Sequence, residues 1–151
     1  MLSIGDTAPD FELLSDEGKP VKLSDFQDQQ LILFFYPKAD TPGCTTQACG
    51  MRDNYATIQA ANGTVIGISP DEPEALKKWK AKEGFPYPLL SDSDHAVAEA
   101  YGVWGEKKMF GNSYMGIIRS HFVIDAAGKV ADVQYKISPK DSVAKAVKFV
   151  S

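Results

Sequence analysis

The sequence predicts an α/β fold: a central mixed β-sheet flanked by helices, with a β-hairpin near the N-terminal end. Three observations carry this expectation. Leu31 to Tyr36 is a continuous apolar run, which suits a strand covered on both faces. A helical pattern separates it from a second such run, Thr64 to Ile68, so a parallel β-α-β crossover is expected. The last third then reads strand, strand, helix, which adds antiparallel members to the sheet and places helices on both sides of it.

Taken in order, Phe11 to Leu14 and Val21 to Leu23 are strand-like and are separated by the turn-rich Ser15-Asp16-Glu17-Gly18-Lys19-Pro20, a hairpin pattern. After Leu31 to Tyr36, Thr41-Pro42 reads as an N-cap followed by proline at the first helical position, where its missing N–H costs nothing. Ala48, Met51, Tyr55 and Ile58 recur at helical spacing, and Asn62-Gly63 is a stop signal. Beyond the strand at Thr64 to Ile68, Asp71-Glu72-Pro73-Glu74 resembles a capping box that opens a helix burying Ala75, Leu76 and Trp79. Leu89-Leu90 is a short strand, Asp94 to Tyr101 a short helix closed by Gly102, and Trp104 to Met115 an irregular loop. Ile117 to Ile124 and Val130 to Tyr135 read as two strands joined by Asp125-Ala126-Ala127-Gly128-Lys129. Ser138-Pro139-Lys140-Asp141 caps a last helix whose Val143, Val147 and Val150 share a face.

A chain of 151 residues fits a single domain, 1–151, with one core. The net charge of −4, with basic residues scattered among more numerous acidic ones, leaves no basic stripe for nucleic acid. The longest apolar run is too short for a bilayer and no basic segment precedes it, so no membrane association is expected and a cytoplasmic location is. Two cysteines are too few for a secreted disulfide scaffold. They are also too few for structural zinc, because His95 and His121 are isolated from them and from each other; no metal and no cofactor is expected.

The cysteines therefore need another reading. With Thr41 as N-cap, Cys44 is the third helical residue, inside the turn where unpaired N–H groups and the positive end of the helix dipole collect. That environment favours the reactive thiolate, although a cysteine can also serve as a small apolar side chain. Cys44 continues the stripe 44, 48, 51, 55, 58, which turns it toward the protein body and a pocket. Cys49 lies five residues on, about 140° around the helix and roughly 8–9 Å away between Cα atoms, beyond the ~7 Å a disulfide tolerates. Any bond between them would require the first turns of the helix to unwind.

Pro37-Lys38-Ala39-Asp40-Thr41-Pro42-Gly43-Cys44 resembles the Pro-x-x-x-Thr-x-x-Cys signature of the peroxiredoxins. Cys44-Thr45-Thr46-Gln47-Ala48-Cys49 is similar to the bacterioferritin comigratory, or Q-type, branch, with its second cysteine five residues after the first. The likeness extends from Gly5-Asp6-Thr7-Ala8-Pro9-Asp10-Phe11 through Tyr101-Gly102-Val103-Trp104-Gly105-Glu106-Lys107 to Arg119-Ser120-His121-Phe122-Val123-Ile124-Asp125. It implies a thioredoxin-like fold and a thiol-dependent peroxidase acting on hydrogen peroxide and organic hydroperoxides. By resemblance, Cys44 is the peroxidatic cysteine, Cys49 resolves its sulfenic acid as an intramolecular disulfide, Thr41 orients the peroxide, Pro37 shields the sulfur and Arg119 stabilises charge. The resemblance implies thioredoxin as reductant, with glutaredoxin as a substitute. Two thiols in one helix require no second subunit, so a monomer is expected.

Other residues are given plainer readings. Gln47 has two readings, a hydrogen-bonding residue near the site or a solvent-facing helix residue, and is left outside the core set; His95 is read as a surface residue at a helix start. His121 shares strand parity with Arg119, away from Phe122 and Ile124, and is read as structural. Trp104, Phe110 and Tyr114 are read as loop aromatics covering a core. The rival functions are a general thiol-disulfide oxidoreductase, disfavoured by the lack of Cys-x-x-Cys, and a non-catalytic holdase domain.

Overall fold

The structure, a computed structural model, describes residues 2–151. Its elements in chain order are β1 (Glu12–Ser15), β2 (Pro20–Lys22), β3 (Gln30–Phe35), α1 (Pro42–Asp53), α2 (Tyr55–Ala60), β4 (Gly63–Ser69) and α3 (Pro73–Glu83), then β5 (Leu89–Ser91), α4 (Ala96–Ala100), β6 (Trp104–Met109), β7 (Asn112–Ile117), β8 (Ser120–Ile124), β9 (Val130–Gln134) and α5 (Pro139–Val150). Seven strands form one mixed sheet in the order β2-β1-β5-β4-β3-β8-β9. β3, β4 and β5 run parallel, as the crossover requires, while β1/β2 is the expected N-terminal hairpin. β8 extends the sheet antiparallel to β3, and β9 pairs antiparallel to β8 at the edge.

The two apolar runs sit at the centre because both of their faces are covered. Every residue of β4 is buried. Along β3 the side chains alternate: Ile32 and Phe34 pack with Cys44, Ala48 and Met51 of α1, Ile58 of α2, Leu76 and Trp79 of α3, and Ala146 of α5. Leu31, Leu33 and Phe35 pack on the other side against α4 and Tyr101. The cysteine helix thus lies on the sheet side by side with α5. Its approach to α5 is close, since a Cβ at Gly50 would lie 2.5 Å from Val143 Cγ2.

Three expectations are corrected. Trp104 to Met115 is not an irregular loop but most of the β6/β7 hairpin, closed by Phe110-Gly111, both at positive φ (52° and 81°). Asparagine or aspartate normally precedes glycine in such a turn, so Phe110 conceals it, and at 96 % exposed it covers no core. Ile117 to Ile124 is not one strand: it breaks at Ile118-Arg119, where Ile118 N–H donates to Val103 O and Arg119 O accepts from Ile137 N–H. The cysteine helix also breaks, at Asn54, whose side chain donates to Gly50 O. No helix among the described residues is long and apolar enough to cross a membrane.

Candidate active site

Thr41 is the N-cap residue of α1, Pro42 its first residue and Cys44 its third. The first intrahelical bond runs from Thr45 N–H to Thr41 O, and no side chain caps the helix start. The N–H groups of Gly43 and Cys44 therefore have no helical acceptor, in the same turn as Cys44, which is itself 1 % exposed. The expected cap is corrected in one respect. The Thr41 hydroxyl donates to Lys38 O at 2.7 Å rather than accepting from α1, so toward a ligand it can only accept.

Arg119 comes from the break between β7 and β8 and closes the site from the opposite side. Its Nη2 donates to Cys44 Sγ at 3.4 Å and its Nη1 to Gln47 Oε1 at 2.8 Å. A β-carbon at position 43 would sit 3.1 Å from Arg119 Nη2, so glycine there lets the guanidinium lie over the first turn of α1. Sequence reasoning missed this packing role. Pro37, half-buried, follows the end of β3 close before this turn. A cleft of about 680 Å³ adjoins Arg119, floored by Ile118 and Ile137 and edged by Lys107, Lys108 and Lys136. Burial and the neighbouring Arg119 push the Lys107 ammonium pKa down, opposed by the cysteine sulfur.

Gln47 is not solvent-facing; it is fully buried. Three residues after Cys44 it falls on the same helix face, and its polar head is satisfied by Arg119 on one side and by Ser142 Oγ at 2.9 Å on the other. Ser142 Oγ in turn lies 2.7 Å from His121 Nδ1, and His121 Nε2 faces Asp132 Oδ2 at 4.0 Å. His121 thus shares the side of the sheet used by Arg119, as its strand parity indicates. His95 is a half-exposed N-cap stacked on Trp104.

Burial lowers the His121 pKa from 6.5 to about 4, only partly offset by Asp132. Between those values the unfolded chain binds a proton that the folded chain refuses, so stability falls as pH drops from about 6.5 toward 4. From this group the loss between about pH 7 and pH 5 is on the order of 2 kcal/mol. Urea unfolding at the two pH values is expected to show it, and a His121→Phe protein should lack that part of the difference. An unaltered pH slope in the variant would contradict the assignment.

Cys49 is half-buried on the other side of α1, and its Sγ lies 3.7 Å from Glu83 Oε2 at the end of α3. Burial raises its pKa; Arg52 opposes this and Glu83 adds to it. Arg52 also ties α1 to α3 through a 2.6 Å bond to Glu83 O, and Tyr87 donates to Ala48 O at 2.6 Å. Both cysteines are free thiols. The structure thus brings Cys44, Arg119 and Gln47 together and keeps Cys49 apart.

Comparison with known proteins places this geometry in context. Residues 4–133 match the model of the AhpC/TSA family. The chain is 52 % identical over 132 residues to the Escherichia coli K12 protein named peroxiredoxin Bcp, covering 87 % of this chain and 85 % of that one. A crystal structure of PrxQ from Xylella fastidiosa superposes with a TM-score of 0.93 at 30 % identity, covering 99 % of this chain and 96 % of that one. A Xanthomonas campestris bacterioferritin comigratory protein, described for its alkyl peroxide reduction activity, superposes with a TM-score of 0.89 at 29 % identity, with coverage of 99 % and 96 %. The mixed sheet flanked by helices is therefore the thioredoxin-like architecture of those structures.

Proposed function

Since the chain belongs to the AhpC/TSA family, as a peroxiredoxin of the Bcp and PrxQ kind and hence a thiol peroxidase, we propose that Cys44 is the thiol that attacks the peroxide. The observation that carries this reading is the 3.4 Å contact between Arg119 Nη2 and a sulfur in the uncapped first turn of α1. A guanidinium donating to the sulfur favours the thiolate. As Cys44 sulfur bonds to one peroxide oxygen, the O–O bond breaks and its electron pair leaves with the other oxygen. Protonation of that oxygen releases water or an alcohol, and Cys44 is left as a sulfenic acid. The Gly43 and Cys44 N–H groups and Arg119 are arranged to hold the oxygen that gains charge. Thr41, its proton committed to Lys38 O, accepts the peroxide O–H. Pro37 limits access of water to the sulfur.

Cys49 then attacks the sulfenic sulfur, a disulfide forms and water leaves. This requires α1 to unwind, because the five-residue separation holds the thiols too far apart in a helix. Unwinding also takes Cys49 away from Glu83 and from the burial that raise its pKa, so the same motion closes the distance and eases thiolate formation. A thioredoxin-type dithiol reduces the disulfide. With both thiols in one helix the reading is of a monomer acting in the cytoplasm.

The test is peroxide turnover coupled to a thioredoxin system, comparing wild type with Cys49→Ser. Wild type is expected to turn over. The variant is expected to consume one equivalent of peroxide rapidly, become one oxygen heavier, and then stall. Sustained turnover by Cys49→Ser through thioredoxin would remove Cys49 from the resolving role, and slow first oxidation in both proteins would remove Cys44 from the peroxidatic one.

A further inference from the structure

A guanidinium has only donors, and this fixes the orientation of the Gln47 amide behind the site. Arg119 Nη1 must meet the carbonyl oxygen of Gln47, so the Gln47 amide nitrogen must point at Ser142 Oγ, which accepts. Ser142 keeps one proton to give, and the Asp132 carboxylate facing His121 Nε2 at 4.0 Å favours the imidazole proton on that nitrogen, so Nδ1, 2.7 Å from Ser142 Oγ, is the acceptor. His121 carries its proton on Nε2, toward Asp132. Arg119, Gln47, Ser142 and His121 thus form one chain with a single direction, contributed by the β7/β8 break, α1, α5 and β8. Its inner three members are 0 % exposed.

We propose that Ser142 and His121 are positioning residues for peroxide reduction: by holding Gln47 in one amide orientation they aim the Arg119 guanidinium at Cys44 Sγ. Neither touches the reacting atoms. Without the Ser142 acceptor, the Gln47 amide nitrogen is buried without a partner and the amide is free to turn, presenting N–H to a guanidinium that cannot accept it. Arg119 then loses its second anchor. The inference rests on Cys44 being the reacting thiol.

The experiment uses a Cys49→Ser background, so that Cys44 is the only thiol. Two quantities are read in the folded proteins: the rate of Cys44 oxidation by hydrogen peroxide in stopped flow, and the pH titration of the Cys44 thiolate by its ultraviolet absorbance. Ser142→Ala and His121→Phe are each expected to slow oxidation by about three- to tenfold, the worth of one hydrogen bond, and to move the titration to higher pH. His121→Asn, whose amide oxygen can accept where Nδ1 did, is expected to restore most of the rate. The proposal is overturned if folded Ser142→Ala keeps the parent rate and titration within about twofold, or if His121→Asn is as slow as His121→Phe. Should Ser142→Ala not fold, the His121 pair carries the test. Failure of the parent protein itself to react rapidly at Cys44 would sink the underlying reading instead, so the two failures are distinguishable.

Discussion

Cys44→Ser is expected to abolish peroxide turnover while leaving the fold in place. Serine keeps the shape of the side chain and the position at the third residue of α1, and Arg119 can still donate to its oxygen. What it lacks is an accessible anion. The thiolate is the nucleophile in cysteine chemistry, whereas a hydroxyl attacks only with a base to take its proton. The groups that reach Cys44 here are donors, and His121 is separated from it by Arg119, Gln47 and Ser142. The coupled assay should therefore read no more than the reductant's own reaction with peroxide, with circular dichroism like that of the wild type. Retained turnover would end the proposal for Cys44.

Arg119→Met should be the most damaging change that leaves both thiols intact. Methionine preserves much of the apolar stem but removes the charge over the sulfur, the donor to the leaving oxygen and the partner of Gln47 at once. Loss of a single preorganised donor at a site of developing charge costs about 10²- to 10³-fold, and a comparable drop in the second-order rate of Cys44 oxidation is expected. Arg119→Lys should recover only part of it. One ammonium is a point charge on a flexible stem, whereas the guanidinium reaches Cys44 through Nη2 and Gln47 through Nη1 in one rigid plane. Stopped-flow oxidation of the three proteins gives the ranking; an Arg119→Met rate within tenfold of wild type would reduce Arg119 to a packing role.

What was legible in the sequence was local. Thr41-Pro42 marks the start of α1 by backbone chemistry alone, and that start places Cys44 among unpaired N–H groups. The apolar runs at β3 and β4 report their central place because burial on both faces leaves no room for alternation. The choice between the two readings of Gln47 was not legible, because a polar residue on a helix is ordinarily solvated; what buries it is Arg119, 72 residues away, and Ser142, 95 residues away. The β6/β7 hairpin was hidden by an atypical turn and by strands with little burial on either face. The break at Ile118-Arg119 left no trace, since an unbroken strand could carry the same residues. It is set by backbone bonds to Val103 and Ile137, and these come from the fold as a whole.

The interruption of the cysteine helix at Asn54 bears on how long such a catalyst lasts. If α1 melts once in every cycle, the melting needs a place to stop, and Asn54 already divides the twelve residues of α1 from the six of α2. Beyond it, Ile58 is fully buried and the Tyr55 hydroxyl lies 3.2 Å from Thr64 Oγ1, so the far side of the break stays fastened to β4. Ala48 and Met51 would be laid bare briefly, while the sheet beneath keeps its register through the contacts of α2, α3 and α5. The molecule could then risk one short segment repeatedly without offering its strands to a neighbour, which separates wear at the reactive thiol from aggregation of the whole chain.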